Sequence, residues 1–89
     1  MTPTIASVVT RRRTTLRGEV VSVTSTAVPW ARTDATLDDG TGRLVLRFLG
    51  RATVPGVEPG RRLVVDGTPG LVGRKLVMLN PIYSFDEAG

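Results

Sequence analysis

The chain predicts an all-β fold of five short strands closing into a small barrel. Two observations carry this. Apolar residues alternate with polar ones at period two, and glycine-rich or proline-rich turn signals recur at short intervals between those runs. A third, the length of 89 residues, leaves room for one domain only.

The stretch from Thr33 to Leu49 is the centre of this pattern. Ala35 and Leu37 alternate with Asp34, Thr36 and Asp38. After a turn, Leu44, Leu46 and Phe48 alternate with Arg43, Val45 and Arg47. Between them Asp39-Gly40-Thr41-Gly42 has the residues of a tight hairpin, with Asp39 able to hydrogen-bond its own backbone. One face is apolar and the other charged, so the apolar face must pack against further strands.

Before the hairpin, residues 1–13 lack periodicity and read as a flexible basic arm ending in Arg11-Arg12-Arg13. That run either lies along phosphates or is a solvated charge cluster. Thr14 to Ala27 reads as a long first strand. Its Val20-Val21 pair followed by Val23 breaks the alternation as a bulge does, and Gly18 in mid-strand suits a corner where another backbone crosses closely. Val28 to Arg32 is the loop leading into the hairpin.

Beyond the hairpin, Gly50 to Gly60 contains two prolines and three glycines, which predicts an irregular or one-turn helical link. Arg61 to Gly67 follows as a fourth strand with Leu63 and Val65 inward. Residues 68–73 read as a turn, and Arg74 to Leu79 as a fifth strand with Leu76 and Met78 inward, stopped by Asn80-Pro81. Ile82 to Phe85 extends it, with Tyr83 and Phe85 as core or lid. The domain therefore spans 14–85, and 86–89 form a short acidic tail.

A long bent first strand, a hairpin, an irregular link and two more strands outline a five-stranded OB-fold Greek-key barrel. An SH3-like barrel also has five short strands, but the long link between strands three and four fits it less well.

The chemistry available is narrow. With no cysteine and no histidine there is no disulfide, thiolate ligand or imidazole base. Asp34, Asp38 and Asp39 lie close in sequence, but the turn explains two of them, and no nucleophile stands beside a base. The prediction is a protein that is not an enzyme and holds no metal or cofactor. No apolar run approaches the roughly 20 residues of a membrane span, and the first thirty residues lack a secretory signal, which predicts a cytoplasmic protein.

Lysine and arginine number 12 against 8 acidic residues, for a net charge of +4. All but Lys75 of the cations are arginine. The balance favours an anionic partner, although arginine bias also follows from base composition.

The runs Gly18 to Val23 (GEVVSV), Thr36 to Gly50 (TLDDGTGRLVLRFLG), Pro59 to Gly67 (PGRRLVVDG) and Leu76 to Tyr83 (LVMLNPIY) together resemble the OB-fold nucleic-acid-binding family. The chain is most similar to the wedge domain of RecG branch-migration helicases and to small stand-alone OB-fold proteins of actinobacteria. The resemblance covers about Thr15 to Phe85. It implies an OB fold and weak, sequence-tolerant binding of single-stranded or branched DNA, with RNA also open, in DNA repair or recombination. It does not extend to motor activity, since the chain has no P-loop. In the wedge domain an aromatic stacks on an exposed base, a role that falls here on Trp30, which alternatively caps the barrel.

OB-folds hold single strands across the outer face of strands two and three, between the first loop and the loop joining strands four and five. On that surface the candidate binding residues are Arg17, Trp30, Arg32, Arg43, Arg47, Arg74 and Lys75. Arg43 and Arg47 could instead bridge to Asp34 or Asp38 across the hairpin. The competing reading is a protein-interaction barrel or homo-oligomer, in which Val45 and Leu49 leave apolar surface for a partner.

Overall fold

In the computed structural model, which describes residues 3–87, the chain forms seven strands. They are β1 (Thr14–Thr26), β2 (Arg32–Asp38), β3 (Arg43–Leu49), β4 (Arg62–Gly67), β5 (Pro69–Val72), β6 (Lys75–Leu79) and β7 (Ile82–Phe85). Among the described residues there is no α-helix, only a 3-10 turn at Ile5–Ser7.

The hairpin is as its alternation requires. Thr33, Ala35 and Leu37 of β2 and Leu44, Leu46 and Phe48 of β3 are buried, while the residues between them face out. Fully burying each leucine contributes about 2 kcal/mol. Asp39 closes the turn. Its Oδ1 accepts from the Thr41 hydroxyl at 2.6 Å and from the Thr41 and Gly42 amides at 2.9 and 3.3 Å.

β1 serves two partners. Thr14 to Glu19 pair with β4, and Glu19 to Thr26 pair with β2. The register slips between Val20 and Ser22, which is the expected bulge. At the changeover sits Gly18, where a Cβ would lie 2.8 Å from the Asp38 carbonyl oxygen. The close crossing that the glycine implied is therefore at the C-terminal end of β2.

All seven strands belong to one sheet in the order β5-β6-β3-β2-β1-β4-β7, antiparallel except for the parallel pair β3 and β6. This corrects the expected five-stranded barrel, since the ladder has seven strands and is not closed, with β5 and β7 at its two ends. The extra strands have local causes. Residues 69–72 are not the expected turn. Pro69 opens β5, a place where a missing N–H costs the ladder nothing, and the reversal occurs at Gly73 (φ 62°) and Arg74. After β6, Asn80 takes φ 45° and Pro81 has no amide to donate, so the chain leaves β3 and resumes as β7 against β4.

The link between β3 and β4 is irregular, and its Val54 and Val57 are buried against the core. Tyr83 covers the same end. Its hydroxyl donates to the Pro55 carbonyl at 2.9 Å and its ring meets Phe48 edge-on at 5.7 Å. Phe85 is a lid more than core, 43% exposed beneath the Arg61 guanidinium.

Both ends of the described chain touch the body of the domain. Ile5 is 4% exposed within the core, its amide donating to Asp39 Oδ2 at 2.8 Å. At the other end Asp86 pairs with Arg17 at 3.4 Å. Residues 1–2 and 88–89 of the expected arm and tail lie outside the described residues.

Candidate nucleic-acid interface

The outward side chains of β2 and β3 form a ladder fixed by the hairpin register, in which Asp34 stands opposite Arg47, Thr36 opposite Val45 and Asp38 opposite Arg43. Opposite charges across an antiparallel pair attract, and here they meet. Arg47 donates from Nε and Nη2 to the two oxygens of Asp34 at 3.0 and 3.2 Å. Arg32 reaches the same carboxylate at 3.4 Å. Arg43 donates from Nε to Asp38 Oδ2 at 3.0 Å. The three arginines expected to bind phosphate on this face thus stand in ion pairs with the aspartates of their own hairpin.

Two of the aspartates are held in their charged form. The Gly40 amide, then the Arg43 guanidinium, keeps the Asp38 carboxyl below its usual range. For Asp39 partial burial opposes ionisation, but hydrogen bonds from the Thr41 hydroxyl and the Ile5, Thr41 and Gly42 amides outweigh it and lower the pKa.

The parallel pairing of β6 with β3 brings Lys75 beside this ladder. A groove of about 310 Å³ runs between Ser22, Thr24, Asp34, Thr36, Val45, Arg47 and Lys75. A larger, more open cleft of about 540 Å³ adjoins it, bounded by Val8, Arg43, Leu71, Arg74 and Leu76. Both are lined by Thr36, Val45 and Lys75, so they form one trough across the sheet. Arg74 and Lys75 have no ion-pair partner among the described residues.

Trp30 is 81% exposed, so it does not cap the core. With Thr26, Pro29, Ala31, Arg32 and Leu49 it lines a separate, mostly apolar cavity of about 420 Å³ at the loop end of β2 and β3. Val28 (80% exposed) and Leu49 (49%) leave further apolar surface nearby.

No family model and no curated protein matches the chain. The site is therefore read from its geometry.

Of the expected residues, Arg43, Arg47, Arg74 and Lys75 meet in the trough, and Trp30 and Arg32 share the apolar cavity. Arg17 stands apart from both, paired with Asp86. The sequence reading missed Val8, Thr10 and Leu71 as cleft walls. Reading 68–73 as a turn hid Leu71, and an aperiodic N-terminal segment gives no signal of where it docks. Among the described residues no group of three or more acidic side chains is placed to hold a metal ion.

Proposed function

We propose that the protein is a non-catalytic nucleic-acid-binding module that takes single-stranded or branched DNA, or RNA, along the trough, as the resemblance to RecG wedge domains implies. The observation that carries this is the placement of Arg74 and Lys75, cations without a carboxylate partner among the described residues, on a trough also lined by the apolar Val45, Leu71 and Leu76. Phosphates gain from the cations and bases from the apolar lining. Binding of this kind is salt-sensitive and indifferent to sequence.

We also infer an OB-type connectivity. Thr68 alone separates β4 from β5, and Asn80-Pro81 alone separate β6 from β7. Counted as one kinked strand each, they reduce the seven strands to five, with β1 between the second and fourth and a parallel third and fifth. The two ends of the sheet then belong to the same pair of kinked strands.

Fluorescence anisotropy of a labelled single-stranded oligonucleotide, with duplex, branched and RNA forms alongside, tests the function. Anisotropy should rise at low salt, and Arg74→Glu with Lys75→Glu should weaken binding by at least about tenfold. Asp34→Asn should strengthen it, because that change releases Arg47 and Arg32 from their shared carboxylate. No binding by the unaltered protein at low salt overturns the reading. The exposed surface of Val28, Trp30 and Leu49 then favours a protein-interaction module instead.

A further inference from the structure

The arginine run at 11–13 is not part of the trough's lining, yet the fold treats its three members differently. Arg13 donates from Nε to Asp66 Oδ1 at 2.6 Å, on a carboxylate also bound by the Thr15 hydroxyl at 2.8 Å. Arg11 and Arg12 are exposed and have no ion-pair partner among the described residues. Arg11 takes φ 66°, and its amide donates to the Pro69 carbonyl at 2.8 Å, which ties this backbone to the start of β5.

The segment leading to Arg11 is fixed at its other end as well. The Ile5 amide bonds Asp39, and the Ala6 amide donates to the Thr41 hydroxyl at 3.1 Å. Residues 5–11 therefore stretch from the β2–β3 turn to β5, and Val8 and Thr10 within them line the larger cleft. From Pro69 the strand runs about 10 Å to the hairpin that carries Arg74 and Lys75.

The ion pairs thus sort the cations. Arg13, Arg17, Arg32, Arg43, Arg47 and Arg61 each lie within 3.5 Å of a carboxylate. Arg11, Arg12, Arg74 and Lys75 do not. Arg74 and Lys75 line the cleft, Arg11 follows Thr10 at its wall, and Arg12 lies with Arg13 on a neighbouring groove that shares Val8 with the cleft. Arg51 and Arg62 are also without an ion pair, but Arg62 lines a groove with Glu19, Asp38 and Asp39, and Arg51 follows the end of β3.

We propose that Arg11 and Arg12 extend the interface past the N-terminal wall of the cleft, holding phosphates that flank the nucleotides in the trough, and that Arg13, which shares the neighbouring groove with Arg12 but is held by Asp66, does not. This rests on the nucleic-acid reading above. The fixed backbone matters because it lowers the ordering cost that a flexible basic arm meets on binding. Arg13 contributes little, since binding a phosphate would require it to leave Asp66.

The test is the salt dependence of affinity for a labelled oligothymidylate of about 12 nucleotides, within the span one such domain covers. Each phosphate contact on a single strand adds about 0.7 to the slope of log affinity against log salt. Arg11→Gln with Arg12→Gln keeps side-chain bulk and backbone preference, and should lower that slope by about 1.4. Arg13→Gln should leave it nearly unchanged. If the unaltered protein binds with a salt-dependent affinity and the double variant keeps the same slope, the arginines are solvated charge and the proposal fails while the trough stands. A slope lost equally in Arg13→Gln also overturns it, since the run would then act only through bulk charge. If the unaltered protein does not bind, the underlying reading fails and this proposal with it.

Discussion

At Gly18 the backbone of β1 passes so near Asp38 that the space for a single methyl group is missing. The obstructing atom is a backbone carbonyl, which cannot swing aside as a side chain would. Gly18→Ala should therefore destabilise the fold by about 1–3 kcal/mol, as forced overpacking does, and lower the melting temperature by several degrees. Gly70→Ala is the control, because no atom lies within 4 Å of a Cβ there. Thermal unfolding of the two variants decides the matter, and equal stability would remove the crossing as the reason for Gly18. The crossing and the adjacent bulge were legible in the sequence. A lone glycine and a one-residue phase change in Val20-Val21-Ser22-Val23 are both backbone signals, and backbone signals survive without knowledge of the partner strand. The state of Arg43 and Arg47 was legible only as an alternative. Hairpin register places an aspartate opposite each, but a choice between aspartate and phosphate depends on the ligand.

Among the elements, the junction of the 3-10 turn with the β2–β3 turn has a defined acid limit. The Asp39 carboxyl has a lowered pKa in the fold, so its contribution is complete above the ordinary value of 3.8 and is lost as pH falls through the lower, folded value. The Ile5 amide resonance should hold steady through the pH range in which an ordinary aspartate titrates, around 3.8, and move only as pH falls below it and Asp39 takes up a proton. Asp39→Asn should show the displaced resonance already at neutral pH. A steady resonance in that variant would mean that burial of Ile5 alone holds the segment. This junction was not legible in advance. Ile5 is one apolar residue in an aperiodic stretch, and nothing local announces that its partner lies 34 positions away. β5 was misread for a different reason. Proline and glycine at 69 and 70 are turn residues by habit, but a proline that begins a strand forfeits no ladder hydrogen bond.

Across the whole molecule the alternation of apolar residues placed the buried faces of β1 to β4, but not Ile5, Val54 and Val57, which lie outside the strands, nor Val77, which is buried where alternation turns it outward. Alternation was also insufficient to count the strands, since the breaks at Thr68 and at Asn80-Pro81 depend on which neighbour each half meets. One pairing also governs the order of events in folding. β2 and β3 are joined by a four-residue turn, but β3 and β6 run parallel and can meet only after residues 50–74 have been brought round. The loop-closure entropy of that return must be met before the contact rewards it. The hairpin then belongs to the nucleus and the parallel pair to the final descent. Refolding and unfolding rates in denaturant should show Leu37→Ala slowing refolding, whereas Val77→Ala, 3% exposed opposite Val45, should chiefly hasten unfolding. Refolding slowed by Val77→Ala in proportion to its lost stability would place the parallel pair in the nucleus instead. When the hairpin forms first, the wall of the trough that carries Lys75 is the last to arrive and the first to leave. The lifetime of the complete trough is then shorter than the lifetime of the hairpin beneath it.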